Sequence, residues 1–182
     1  MRILQTFLSP AFAALAIMLM FTPDQTAFGQ EAARPAPAPA LISREEARVI
    51  IEGAIAFTRQ RNMSMAIVVV DQSGYVVSSD RMDGSSFRNM RFAEGKAFAS
   101  ALYGQSTEFL GELATARPDR FFGIMNMHPG KVYLVGGGVP LAVDGVQVGA
   151  VGVAGQPQGS DDMAARAGIA AWEHFRANSE RQ

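Results

Sequence analysis

The spacing of hydrophobic and polar positions changes along the chain, and each change marks an element. Ala47, Ile50, Ile51, Ala54, Ile55 and Thr58 recur on one face of a helix. Ser43-Arg44-Glu45-Glu46 directly before them has a hydroxyl at the N-cap and a carboxylate three residues on, the capping-box pattern. A helix is therefore predicted from about Arg44 to Arg61, with Asn62 as its stop. Met65 to Val70 is a continuous apolar run ending in three valines, suited to a strand covered on both faces. Asp71-Gln72-Ser73-Gly74 is turn chemistry, and Tyr75 to Arg81 returns as a hairpin partner.

Asp83-Gly84-Ser85-Ser86 opens a second helix, about Phe87 to Tyr103, closed by Gly104. Its Ala93, Gly95, Ala97, Ala99, Ser100 and Ala101 let a backbone or a flat ligand approach closely; tight packing on a sheet is the commoner use of such a stripe. Ser106 or Thr107 caps a short helix through Ala116, which Pro118 ends. Lys131 to Val135, Leu141 to Val143 and Val146 to Val153 read as strands, the last two joined by a tight Asp144-Gly145 turn. Ser160-Asp161-Asp162 starts a last helix, acidic at its positive end, with Ala164, Ala167, Ala171, Trp172 and Phe175 on the buried face. The expected order is α-β-β-α-α-β-β-β-α. It implies an α/β (α+β) fold, a mostly antiparallel five-stranded sheet packed by helices.

Ahead of these elements the pattern is different. Arg2 is followed by an apolar run from Phe7 to Phe21 and by the small-x-small triplet Ala27-Phe28-Gly29. These are the parts of a secretory signal peptide, expected over residues 1–29 with cleavage after Gly29. The alternative, an uncleaved anchor, suits the run less well because it is short for a span of roughly 20 residues. Residues 30–40, with Arg34-Pro35-Ala36-Pro37-Ala38-Pro39, read as an extended Pro/Ala-rich spacer. The expected domain is 41–178, in a periplasmic or secreted protein with no stable membrane insertion after processing.

Composition removes several classes of function. The chain has 182 residues and no cysteine, which excludes disulfides, thiolate catalysis and iron–sulfur or zinc–thiolate sites. The formal net charge is -1 and the cations are scattered, so nothing favours a nucleic-acid partner. Gly149, Gly152 and Gly155 lie within and after a strand, without the βαβ unit that a dinucleotide-binding fingerprint needs. Gly136-Gly137-Gly138 reads as a flexible turn, with an anion-binding nest as the alternative. No Ser-His-Asp arrangement stands out, and Asp161 and Asp162 are explained as a helix start. Binding without catalysis is the favoured reading.

Several stretches together resemble one known family. They are Arg81-Met82-Asp83-Gly84, Ala93 with Lys96-Ala97, Thr107 after Gly104, Gly137-Gly138-Val139-Pro140-Leu141, Asp144-Gly145, Gly149 to Gly155, and Asp161 followed by Ala164. In this order and spacing, from about Leu41 to Phe175, the chain resembles the GlcG/HbpS-like family, seen also as a domain attached to some corrinoid adenosyltransferases. The resemblance implies a profilin-like or roadblock-like sandwich, homo-oligomers and, for some members, haem binding, alongside a haem-degrading label. Two positions depart from the family pattern. Lys96-Ala97-Phe98-Ala99-Ser100 lacks or displaces a hydroxyl, and Ala154 stands where serine is common.

Haem asks for an axial ligand, an apolar slot and cations for its propionates. His128, in Met125-Asn126-Met127-His128-Pro129, and the Thr107 hydroxyl are the first metal candidates, the latter a weak iron ligand that the family resemblance supports. His174, Tyr103 and the methionines are further candidates. Arg81 and Lys96 are the cations, unless they pair structurally with Asp83 or Glu94. The expected site lies between the alanine-rich helix, the Thr107 helix start and the His128 loop. Haem binding or sequestration leads; a site for another small-molecule ligand such as a flavin or corrinoid, or a small enzyme acting on an oxidised metabolite, are the alternatives.

Overall fold

A computed structural model describes residues 41–157 and 159–181; the expected signal peptide and spacer lie outside the described residues. The elements are α1 (Arg44–Arg59), β1 (Ser64–Asp71), β2 (Val76–Arg81), α2 (Phe87–Tyr103), α3 (Thr107–Ala116), α4 (Pro118–Met127), β3 (Gly138–Val143), β4 (Val146–Gln156) and α5 (Asp161–Ser179). Four strands form one sheet in the order β2-β1-β4-β3, and every neighbouring pair is antiparallel. The fold is α+β, with helices on both faces of the sheet.

Alternation along β1 sets the layers. Met65, Ile67 and Val69 point into a core with Ile50, Ile51 and Trp172 of α1 and α5. Ala66, Val68 and Val70 point the other way, against Ala93, Ala97 and Ala101 of α2. All six strand residues are at most 1% exposed, which explains the uninterrupted apolar run. At roughly 1.5–3 kcal/mol for each large side chain removed from water, this central strand is a major source of stability.

Glycine brings α2 down to backbone contact with the sheet. A Cβ at Gly152 would collide with the Ala93 carbonyl oxygen and lie 2.6 Å from the Ala97 nitrogen. The alanine stripe is thus consumed by helix-on-sheet packing and is not the ligand-facing surface the sequence suggested. The local signals behave as expected at α1, where Ser43 Oγ accepts from Glu46 N–H (3.1 Å) and Glu46 Oε2 accepts from Ser43 N–H (2.9 Å). Gly104 ends α2 at φ 63°, and Asp144 and Gly145 make the β3–β4 turn at φ 51° and 77°.

Two expectations are corrected. Pro118 does not only end α3; it starts α4, where a missing N–H costs nothing in the first turn. The five-strand expectation fails at Lys131 to Val135, which runs from a turn to a bend with no regular structure between and lies outside the four-stranded sheet. This segment crosses α2, and Tyr133 N–H donates to the Gly95 carbonyl (3.3 Å). β3 begins three residues earlier than expected, at Gly138, and as an edge strand tolerates Pro140.

Candidate functional site

The outer surface of α2 carries the candidate chemistry, and the 131–135 strap divides it. Gly95 makes the crossing possible: a Cβ there would lie 3.0 Å from Tyr133 Cβ. On one side of the strap a cavity of about 320 Å³ is lined by Gly74, Tyr75, Val76, Arg91, Phe98 and Lys131, among others. On the other side a cavity of about 250 Å³ is lined by Arg88, Asn89, Phe92, Lys96, Tyr133 and Asp161, with others. Residues four apart on α2 face the same cavity, Arg88, Phe92 and Lys96 in this second case.

At the inner end of the second cavity Lys96 is 2% exposed. Its Nζ donates to Asp161 Oδ2 (2.5 Å) and to the Val153 carbonyl (2.9 Å). Asp161 Oδ1 accepts from Gly155 N–H (3.0 Å). The pairing with Asp83 or Glu94 weighed from the sequence is not formed, because the amine reaches through the fold to the first turn of α5. Burial pushes the Lys96 ammonium below its usual range, against the opposing hydrogen bond and charge of Asp161. Burial pushes Asp161 up, opposed by Lys96 and Gly155. Gly137, at φ 114°, stands over the pair; a Cβ would meet Asp161 Cβ at 2.6 Å and Lys96 Nζ at 3.2 Å. This is why the glycine run is needed at that turn.

Thr107 is fully buried beside this loop. Its hydroxyl donates to the Val135 carbonyl (2.7 Å) and accepts from Gly138 N–H (2.8 Å), so it clamps the two ends of the glycine turn. Lys96 and Thr107 therefore come together, through Gly138, whose missing side chain leaves room for Lys96 O and Thr107 Cγ2. Arg81 is elsewhere, at the end of β2, where its Nη1 donates to the Ser85 carbonyl (2.6 Å) and braces the turn into α2. His128 is the C-cap of α4 and half-buried, with its ring edge-on to Phe98 at 5.5 Å between centroids. It does not line the first cavity itself but packs behind Phe98, which does, as do its near neighbours in the chain Gly130 and Lys131. His174 is exposed on α5. Among the described residues no three His, Asp or Glu side chains gather as a metal site.

The sequence reading missed two features here. Asp161 looked like a helix start and is also the partner of Lys96. Phe92 and Tyr133 stack at 4.7 Å between centroids, 11° from parallel, and wall the second cavity. The stack joins residues from α2 and the strap that no local pattern links.

These features define a small α+β domain whose two cavities flank one helix crossed by one strap, with a buried amine–carboxylate pair beneath. The chain belongs to the family described as haem-degrading protein HbpS-like, whose profile matches residues 42–170. Among curated proteins it is 24% identical over 130 residues to an uncharacterised 15.0 kDa protein of the dhaT–dhaS intergenic region of Citrobacter freundii, covering 71% of this chain and 91% of the relative. The crystal structure of a double mutant of Streptomyces reticuli HbpS is 27% identical, with TM-score 0.66 over 76% of this chain and 97% of that one. A PduOC–haem complex, at 24% identity and TM-score 0.66, covers 72% of this chain and 95% of its own, a likeness of fold.

Proposed function

We propose that this protein binds haem at the first cavity, over Phe98, and acts in haem binding or sequestration outside the cytoplasm. The observation that carries the reading is the make-up of that cavity. Tyr75, Val76 and Phe98 supply an apolar wall, Arg91 and Lys131 supply two cations, and His128 abuts Phe98. That set matches what haem requires: a flat apolar contact, partners for two propionates and an imidazole for iron. About 320 Å³ sits at the small end of ligand cavities, which suits a macrocycle held by one face and open at an edge. Haem supplies the iron and its redox chemistry when bound; the chain's own residues hold and orient it. His128 would hold the iron, and Arg91 and Lys131 the propionates. Thr107, Lys96 and Arg81 serve the site from behind, as loop clamp, buried pair and turn brace. The family description, the HbpS likeness and the haem in the PduOC complex support the reading.

Haemin titration of the purified protein tests it. A saturable, equimolar Soret band is expected, weakened by about tenfold or more in His128→Ala, as befits loss of an iron ligand. A Soret spectrum that never saturates, or that is identical in His128→Ala, would overturn the assignment. Export with cleavage after Gly29 and a homo-oligomeric state belong to the same proposal. Mass spectrometry of the protein from its native compartment checks the first. Light scattering checks the second, for which exposed Phe122, Met125 and Met127 on α4 offer apolar surface.

A further inference from the structure

We propose that the second cavity is a carbonyl-capture site, in which the Lys96 amine forms a reversible imine with a small carbonyl compound bearing a carboxylate. The inference uses the cavity that the haem reading leaves free and does not depend on it.

Four observations carry it. The cavity of about 250 Å³ is lined by both Lys96 and Asp161, so a small molecule there meets the amine and its proton acceptor together. Lys96 Nζ uses two donors, toward Asp161 and Val153, and its third N–H has no hydrogen-bond partner among the described residues, only the Tyr133 ring at 5.9 Å from its centroid. Gly137 keeps a side chain away from the pair, where a Cβ would lie 3.2 Å from Lys96 Nζ. Finally, the chain uses lysine only at positions 96 and 131 and arginine for every other cation. Arginine cannot give up its proton, whereas buried lysine can and then becomes a nucleophile. A buried ion pair is often no more stabilising than a well-packed apolar pair of the same size, so stability is a weak reason to place one here. Burial lowers the affinity of Lys96 for its proton, which Asp161 at 2.5 Å can take.

The step balances without a co-reactant. Lys96 passes one proton to Asp161, and its lone pair adds to the carbonyl carbon, forming the C–N bond. The π pair of the carbonyl moves to oxygen, which takes the proton from Asp161. Asp161 then accepts a proton from the nitrogen and delivers it to the hydroxyl, which leaves as water. Net, ammonium and carbonyl give a protonated imine and one water, and Asp161 ends as a carboxylate. Arg88, at the same cavity and four residues from Phe92, is placed to pair with the ligand carboxylate. The Phe92–Tyr133 stack forms an apolar wall.

Reductive trapping tests the site. The folded protein is treated with pyruvate and cyanoborohydride, and the carboxyethyl adducts are located by peptide mass spectrometry. Lys96 and Lys131 are the only lysines, so each serves as the control for the other. Saturable labelling of Lys96 is expected, about tenfold above Lys131, with butanone, a near-isostere without charge, trapped less. Arg88→Gln should raise the pyruvate concentration for half-labelling and leave butanone labelling unchanged. Urea should erase the preference for Lys96. The proposal fails if Lys131 is labelled as fast as Lys96 in the folded protein, or if labelling of Lys96 needs urea. An Arg88→Gln variant that labels like the parent overturns the carboxylate requirement.

Discussion

Replacing Glu46 by alanine should cost about 3 kcal/mol at neutral pH, and the cost should vanish in acid. The Glu46 carboxylate joins three parts of the molecule. Oε2 accepts from Ser43 N–H (2.9 Å) at the α1 cap, and Oε1 accepts from Trp172 Nε1–H (3.1 Å) and Arg176 Nη1–H (2.7 Å) on α5. The side chain is 14% exposed, so these bonds are partly shielded from water. A lost cap is worth about 1 kcal/mol, and hydrogen bonds to a charged group about 1.5–3 kcal/mol each before discounting for exposure. A total near 3 kcal/mol follows. The lowered proton affinity expresses the same bonds on the pH axis. Burial raises the Glu46 pKa, but the bonds from Ser43, Trp172 and Arg176 outweigh it and bring it from 4.5 to about 2. At 1.36 kcal/mol per unit that is again about 3 kcal/mol. Because the folded value lies below the unfolded one, the contribution is fully present above pH 4.5 and is lost as pH falls toward 2. Urea unfolding at pH 7, 4 and 3, followed by far-UV circular dichroism, measures it. At pH 7 the variant should melt about 10 °C lower, at a few degrees per kcal/mol for a domain this size. A gap between parent and variant that stays constant from pH 7 to pH 3 would refute the reasoning.

Thr107→Ala leaves the Gly138 N–H and Val135 carbonyl without their partner and should cost about 2 kcal/mol in urea unfolding, while haemin affinity stays unchanged. Gly152→Val drives a side chain into the Ala93 carbonyl; loss of soluble, folded protein is expected, read by yield and circular dichroism. Lys96→Met strands the Asp161 carboxylate, and Asp161→Leu strands the amine. Each should cost about 3–5 kcal/mol, and the double variant less than either, in a thermodynamic cycle from urea unfolding.

What the sequence discloses depends on how local the physics is. The α1 capping box, the Gly104 stop and the Asp144-Gly145 turn each involve neighbours within four residues, and all were legible. The apolar run of β1 could be assigned because a strand buried on both faces has no polar alternation. Pro118 was ambiguous: the same ring that ends α3 is well tolerated in the first turn of α4. The 131–135 segment misled because Val132 and Tyr133 suit a strand, yet the Tyr133 N–H pairs with a helix carbonyl at Gly95. Lys96 could be picked out by type and by family resemblance, but its partner lies sixty-five residues away on an element whose own start seemed a sufficient reason for Asp161. The Phe92–Tyr133 stack is likewise a product of tertiary crossing.

Helix α2 is held to the sheet with no side chains between, at Gly152 and Gly138. Its inner face is therefore frozen: a single added carbon at either glycine would lift the helix. The outward positions Arg88, Arg91 and Phe98 are free of that backbone contact, so substitutions there change a wall without moving the platform. The two halves of one helix thus differ in how freely they can be rewritten. An engineer could exchange the residues facing either cavity and retarget the domain to a new small molecule, while its architecture stayed where the backbone contact put it.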